Sequence, residues 1–185
     1  MKTLVRETKE TRVEVGLGRR GQPEKRVGVR TETGVPFLDH MLATLAFYAG
    51  LELSLLAKGD LRHHVIEDVA LTLGESLQRL VPERAARYGD RTVPMDDALV
   101  QVAIDLGGRP HFEGRLPSRL YTHWFRSFAM QARATVHVRV LRGTDPHHVV
   151  EAAFKALGLA LAQALAEGGQ GFSTKGSVSW SEGSC

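Results

Sequence analysis

Two short histidine-rich motifs carry the clearest chemical signal in the sequence. Residues 63–67 read His-His-Val-Ile-Glu, and residues 147–151, 84 positions further on, read His-His-Val-Val-Glu. On a helix, the first histidine and the glutamate of each motif are four residues apart and share a face, so they can hold one cation together. The second histidine points about 100° away from that face. Imidazole and carboxylate groups bind divalent transition metals, so the motifs predict metal sites.

The motifs belong to a longer internal repeat. A Leu-Gly pair follows each motif at the same distance, at residues 73–74 and 157–158. A further histidine precedes each motif, His40 by 23 residues and His123 by 24. Self-similarity at a fixed offset is the signature of duplicated structure, so we expect two equivalent halves.

A duplicated fold predicts two equivalent cation sites. If the halves face each other across a pseudo-twofold axis, the spare histidine of each motif can cross to the ion held by the other half. With the upstream histidines, each ligand set has three imidazoles and one carboxylate and accepts Mn(II), Fe(II), Co(II) or Zn(II). The first set is His40, His64, His147 and Glu151, and the second is His63, Glu67, His123 and His148. The remaining two, His111 and His137, are interpreted as ordinary strand residues.

Periodicity predicts the elements that must position these motifs. Residues 12–18 alternate apolar and polar side chains as a half-buried strand does, and residues 26–31 are interpreted as its hairpin partner. The other predicted strands are Leu51–Ala57, Ala98–Leu106 and Ala134–Leu141, and the predicted helices are Phe37–Ala49, His64–Leu80, Tyr121–Arg133 and His147–Glu167.

The predicted fold class is α+β, a duplicated unit of a sheet and paired helices. The halves, residues 1–94 and 95–185, are expected to pack through their helices with the sheets outside, as one compact domain. A flexible C-terminal tail is expected from about residue 177.

The composition excludes several other classes of protein. The chain has 185 residues and a formal net charge of +3, and its arginines are dispersed, which disfavours a nucleic-acid surface. No stretch approaches the roughly 20 apolar residues that span a bilayer, so we expect a cytoplasmic protein with no membrane partner. Cys185 is the only cysteine, which excludes an intrachain disulfide and a thiolate metal cluster. An anionic small molecule is the expected partner.

Further segments, together with the two motifs, resemble the imidazoleglycerol-phosphate dehydratase family from about residue 5 to residue 177. The matching segments include Gly34–Leu42, Arg87–Asp90, Gly108–Pro110, Phe125–Phe128 and Ser173–Gly176. The resemblance implies a fold like domain 2 of ribosomal protein S5 and a homo-oligomer of 24 subunits. It implies the same two ligand sets, filled by two Mn²⁺ per chain. The implied activity is conversion of imidazoleglycerol phosphate to imidazoleacetol phosphate and water in histidine biosynthesis.

The resemblance also implies the groups that handle the substrate. Glu10 matches the family's acid–base carboxylate near the N-terminus. Lys155 lies four residues after Glu151 and so projects from the same helix face as a predicted metal ligand. The implied phosphate-binding residues are Arg87, Arg109, Lys155, Ser173, Thr174 and Lys175.

Several positions depart from the family's usual pattern near the predicted site. Leu61-Arg62 stands where the family has an acidic pair, on a shorter connection, which puts the orientation of the following histidines in question. Thr44 replaces a glutamine, Phe172 replaces a proline, and the segment between residues 109 and 123 is shorter than usual.

Two other functions remain alternatives from the sequence. A binuclear metallohydrolase of a phosphate ester would also need two ions and basic residues, but such sites normally use a bridging carboxylate. A noncatalytic metal-binding protein would hold ions without a phosphate pocket. Release of phosphate identifies the first alternative, and failure to bind imidazole phosphates identifies the second.

Overall fold

The computed structural model describes residues 3–19 and 28–168. Within these ranges the chain forms two four-stranded sheets and four helices. The elements of the first half are β1 (Thr3–Glu7), β2 (Thr11–Arg19), β3 (Arg30–Glu32), α1 (Pro36–Ala49), β4 (Leu51–Gly59) and α2 (Arg62–Leu80). Its sheet has the order β1-β2-β4-β3, in which β3 runs parallel to β4 and the other pairs are antiparallel.

The second half repeats this arrangement. Its elements are β5 (Tyr88–Met95), β6 (Ala98–Asp105), β7 (His111–Gly114), α3 (Arg119–Gln131), β8 (Thr135–Arg142) and α4 (Pro146–Ala164). The sheet order is β5-β6-β8-β7, again with one parallel pair, β7 with β8. The equivalent strand order in both sheets confirms the predicted α+β fold of two similar halves.

The core lies where the helices of the two halves meet. Helix α1 packs against α4 and α2 against α3, while each half's sheet covers its own helices from outside. Along β2 the buried residues alternate with exposed ones, so Val13 and Val15 face inward. Trp124 of α3 and Phe154 of α4 are fully buried, with ring centroids 4.5 Å apart. Burial of these side chains fixes α3, which carries His123, against α4, which carries the second motif.

The Leu-Gly pair of each repeat marks a close approach between helices. A Cβ added at Gly74 of α2 would lie 2.7 Å from the carbonyl oxygen of Phe128 in α3. A Cβ added at Gly158 of α4 would lie 2.8 Å from the carbonyl oxygen of Leu45 in α1. Both contacts are too short for a side chain, so glycine at these positions lets the helix pairs pack closely.

Both histidine motifs lie in the first turn of a helix. The segment His63–Glu67 begins one residue into α2, and His147–Glu151 begins one residue into α4. Asp145 caps α4 by accepting a 2.7 Å hydrogen bond from the His147 backbone N–H, and Pro146 occupies the first helical position. These helix starts place the motifs at the ends of the paired helices.

The structure differs from the strand predictions in two ways. The antiparallel hairpin partner of β2 is β1, whereas residues 30–32 form β3 and pair in parallel with β4. Strands β1, β5 and β7 were not predicted. All three lie at sheet edges, with mostly exposed or half-buried side chains, so they lack the apolar alternation that marks a strand. Strand β5, which begins at Tyr88, belongs to the second sheet.

Candidate functional site

The structure brings the first motif together with a histidine of the other half. The His63 cluster consists of His63, Glu67 and His123. The Nε2 atoms of His63 and His123 lie 3.5 and 3.3 Å from the Glu67 carboxylate oxygens, and the two rings are stacked with centroids 5.3 Å apart. One donor atom from each residue lies within 4.8 Å of the other two. This geometry places three ligand atoms around one point.

The second motif forms a looser counterpart, in which two histidines contact one glutamate but the three ligand atoms do not all lie within 4.8 Å of one another. The His147 cluster consists of His40, His147 and Glu151, so it too joins the two halves. The Nε2 atoms of His147 and His40 lie 3.2 and 3.5 Å from Oε2 of Glu151. The other oxygen of Glu151 lies 3.0 Å from Nζ of Lys155. Burial alone would raise the pKa of Glu151, but Lys155 and His40 favour its charged form, and the net shift is downward.

The second histidine of each motif points away from its cluster. The ring planes of His63 and His64 are inclined to each other by 82°, and those of His147 and His148 by 88°. His64 lies beside Asp60, and His148 beside Asp97. Among residues 3–19 and 28–168, only His63, Glu67 and His123 bring three ligand atoms within 4.8 Å of one another, and neither outward histidine belongs to that group. The sequence predicted that His64 and His148 each reach the metal ligands of the other half. In the structure, neither side chain does so within one chain.

Carboxylates hold both of these outward histidines. Asp60 Oδ1 lies 2.8 Å from Nδ1 of His64, and this hydrogen bond raises the pKa of the imidazole. Asp97 Oδ1 lies 2.8 Å from Nδ1 of His148 and has the same effect. The pKa of Asp97 itself is held well below its usual range by hydrogen bonds from the Thr144 backbone and from His148.

The donor set fits a divalent transition metal. Each cluster offers two imidazole nitrogens and one carboxylate, the ligands that Mn(II), Fe(II), Co(II) and Zn(II) accept. The Nε2 atom of His123 is buried, yet it makes no hydrogen bond within the part of the chain that the structure describes. A buried ring nitrogen without a hydrogen bond is costly unless something binds it, which a cation in the His63 cluster would do.

Glu10 lies in the exposed turn between β1 and β2. Its carboxylate oxygen is 3.7 Å from Nδ1 of His64. Its backbone carbonyl accepts a 3.1 Å hydrogen bond from the Asp60 N–H, which ties this turn to the start of α2. The predicted acid–base residue is therefore next to a predicted metal ligand and outside both clusters.

The predicted phosphate-binding residues have different surroundings. Arg87 pairs with Asp105 at 2.6 Å, and Lys155 contacts Glu151 as described above. Arg109 is exposed, and its backbone carbonyl accepts a 3.0 Å hydrogen bond from the Thr135 hydroxyl. Ser173, Thr174 and Lys175, like Phe172 and the predicted tail, lie outside the described residues.

An open basic groove of about 900 Å³ borders the His63 cluster at His123. Its cationic side chains come from the β7–α3 connection, the exposed side of α3 and strand β8. They are Arg115, Arg119, Arg126 and Arg139. The sequence analysis missed this groove because its arginines are spread over 25 positions and converge only in the fold.

Sequence reasoning also missed Asp60 and Asp97. Asp60 could have been found, because it lies four residues before His64, although it precedes the helix, which begins at Arg62. Asp97 is 51 positions from His148, and no local spacing predicts that contact.

The fold and the clusters together define a class of protein: a duplicated α+β protein with a histidine–glutamate cluster at each pair of helix ends. No helix among the described residues is long and apolar enough to cross a membrane.

Comparison with known proteins identifies the family. The sequence profile of imidazoleglycerol-phosphate dehydratase matches residues 33–161. The chain is 48% identical to the imidazoleglycerol-phosphate dehydratase of Pyrobaculum aerophilum, over 93% of this chain and 97% of that protein. It is 41% identical to the enzyme of the same name from Pyrococcus furiosus, over 92% and 98% of the two chains. The chain belongs to the imidazoleglycerol-phosphate dehydratase family.

Solved structures of this family share the fold. A ligand complex of the Pyrococcus furiosus enzyme superposes with a TM-score of 0.83 at 38% identity, covering 95% of this chain and all of that chain. The Staphylococcus aureus enzyme superposes with a TM-score of 0.74 at 30% identity, covering 91% of this chain and all of that one.

Proposed function

We propose that this chain is a manganese-dependent dehydratase that converts imidazoleglycerol phosphate to imidazoleacetol phosphate and water. The observation that carries the proposal is the His63 cluster, with its looser counterpart around His147, in a chain of this family. The reaction belongs to histidine biosynthesis, and we place it in the cytoplasm.

Two Mn²⁺ per chain are part of the proposal. The residues that would hold one ion are His63, Glu67 and His123, with His148 as the fourth ligand. The corresponding residues for the other ion are His40, His147 and Glu151, with His64 as the fourth ligand. When bound, a divalent cation supplies Lewis-acid chemistry to the imidazole ring and hydroxyl group of the substrate.

A homo-oligomer, proposed to have 24 subunits, accounts for the fourth ligand of each ion. Within one chain His64 and His148 face Asp60 and Asp97, away from the clusters. In the proposed assembly, a neighbouring copy supplies the missing imidazole. Exposed apolar residues such as Phe47, Leu61 and Tyr88 support burial against other copies.

Glu10 is proposed to transfer a proton in the reaction. The substrate loses a hydroxyl group and the hydrogen of the neighbouring carbon, and the resulting enol becomes a ketone. That hydrogen has no adjoining carbonyl, so the imidazole ring must act as the electron sink, and an acid–base group must carry the proton. Glu67 and Glu151 are ligand candidates, and a carboxylate held by a cation is a poor base. The exposed Glu10, 3.7 Å from His64, is the unligated alternative.

The substrate phosphate is proposed to bind Arg87, Arg109, Lys155, Ser173, Thr174 and Lys175. Charge-assisted hydrogen bonds from several cations suit a group with about two negative charges. Lys155 supports this placement because its contact with Glu151 puts a cation beside the His147 cluster. The basic groove at His123 borders the other cluster, the His63 cluster, and supports an anionic ligand there.

The direct test is incubation of the Mn(II)-loaded protein with imidazoleglycerol phosphate. We expect imidazoleacetol phosphate as the product and loss of activity after removal of the metal by a chelator. Release of inorganic phosphate instead would identify a metallohydrolase. Tight binding of Mn(II) with neither product nor binding of imidazole phosphates would identify a noncatalytic metal-binding protein.

A further inference from the structure

Asp60 and Asp97 make the same contact with the outward histidines of the two halves. Each carboxylate places one oxygen 2.8 Å from Nδ1 of a ring, Asp60 on His64 and Asp97 on His148. A carboxylate can only accept at this distance, so the ring nitrogen Nδ1 carries the proton. In the neutral ring Nε2 then keeps its lone pair, which is the form that binds a metal through Nε2. At His148 this atom lies 3.5 Å from Oδ2 of Asp96.

The two carboxylates come from different places in the repeat. At the 84-residue offset of the motifs, the counterpart of Asp60 is Thr144, which has no carboxylate. Thr144 instead donates to Asp97 from its backbone N–H at 2.6 Å and from its hydroxyl at 2.9 Å. Asp97 lies in the β5–β6 turn, so the second half supplies the same contact from another element. The carboxylate–imidazole contact is thus present in both halves although Asp60 and Asp97 are not equivalent positions in the repeat. This indicates that the contact has a role.

We propose that Asp60 and Asp97 are positioning residues that hold His64 and His148 with Nδ1 protonated and Nε2 available to a divalent cation. This inference rests on the proposed metal function. It also explains how the chain orients His64 although Leu61-Arg62 replaces the family's acidic pair. Asp60, one residue earlier, supplies the carboxylate across one helical turn.

The hydrogen bonds of the two carboxylates predict different effects of the same substitution. Oδ2 of Asp97 accepts three donors, two from Thr144 and the Asp145 N–H at 3.1 Å. In Asp97→Asn the amide oxygen must stay with these donors, so the NH₂ group faces Nδ1 of His148. The ring must then accept at Nδ1 and carry its proton on Nε2, which blocks the ligand atom.

Asp60 is the matched case in which asparagine preserves the contact. Oδ1 of Asp60 accepts two hydrogen bonds, one from the His64 ring N–H and one from the Leu61 backbone N–H at 2.7 Å. In Asp60→Asn the amide oxygen can keep both bonds, with the NH₂ group directed elsewhere. Asp60→Ala removes the acceptor altogether. Asp60→Asn and Asp97→Asn each remove one negative charge. If the carboxylates acted only through their charge, both variants would therefore lower the affinity for Mn(II) equally.

The experiment is titration of metal-free protein with Mn(II), with the wild type and the variants Asp97→Asn, Asp60→Asn and Asp60→Ala. We expect a 10- to 100-fold loss of affinity for one of two ions in Asp97→Asn and Asp60→Ala, and near-normal binding in Asp60→Asn. Thermal denaturation without metal controls for folding, and the two substitutions at Asp60 decide the question if Asp97→Asn fails to fold.

The outcomes separate this inference from the proposed function. A wild-type protein that binds no Mn(II) contradicts the proposed function. If the wild type binds two ions and Asp60→Ala binds them equally well, the positioning role is wrong. Equal losses in Asp60→Asn and Asp60→Ala would also overturn it, because they would show an effect of charge alone.

Discussion

At the scale of single residues, each motif divides its two histidines between different surroundings. His63 and His147 face a glutamate of their own helix, whereas His64 and His148 face an aspartate. Helical spacing predicts the first arrangement and the 100° turn of the second histidine. It cannot predict Asp97, because a contact between a turn and a distant helix depends on the tertiary fold.

Glu10→Gln should lower turnover by roughly 10²–10⁴ while Mn(II) content and substrate binding stay normal, because glutamine keeps the size but cannot transfer the proton. Steady-state kinetics and metal analysis check this. Glu14→Gln is the control, since Glu14 accepts hydrogen bonds from Arg12 and lies on the next strand. Normal turnover in Glu10→Gln together with loss in Glu14→Gln would move the assignment to Glu14.

Arg109→Ala should weaken binding of the phosphorylated substrate by about 1.5–3 kcal/mol, or at least tenfold in Kd, through loss of a charge-assisted contact. Mn(II) content should not change. Equilibrium titration with imidazoleglycerol phosphate measures the effect. Arg142→Ala, which removes another exposed arginine of the same half, is the control. Equal affinity of the two variants would exclude Arg109 from the phosphate site.

At the scale of elements, the helices were predicted closely and the strands less well. Apolar periodicity over 13 to 19 residues marks each helix, so α1–α4 were all found. Edge strands such as β1 and β5 bury little on either face and give no such pattern. The predicted partner of β2 was wrong. Residues that follow a strand closely in sequence are expected to pair with it in a hairpin, but in the fold these residues form β3, which lies beside β4.

Gly74→Ala and Gly158→Ala should each destabilise the protein by about 1–3 kcal/mol, because a Cβ at either position would force two packed helices apart. The midpoint of thermal denaturation of the metal-free protein should fall in both. Gly28→Ala is the control, since a Cβ there meets nothing within 4 Å and its midpoint should hold or rise slightly. Similar midpoints for all three variants would contradict the close approach at the Leu-Gly pairs.

At the scale of the whole molecule, the duplication creates two clusters that each require both halves. His123 of the second half completes the His63 cluster, and His40 of the first half completes the His147 cluster. The sequence predicted this exchange of upstream histidines between halves. It did not predict that the fourth histidine of each set would face outward, since spacing cannot tell contacts within a chain from contacts between chains.

Light scattering of the metal-loaded protein should give a mass near that of 24 subunits, with the fourth ligands supplied between copies. Removal of metal should reduce the size of the assembly, because the shared ions hold copies together. A stable monomer with full activity would contradict both the assembly and the sharing of ligands.

The ligand sets are tested most directly by the Mn(II) content of reconstituted protein. We expect two ions per chain in the wild type and one in His63→Ala, in His148→Ala and in the double variant, because both residues serve the same ion. His63→Ala combined with His147→Ala should retain none, because these residues serve different ions. One ion per chain in the wild type, unchanged in the single variants, would contradict the proposed ligand sets.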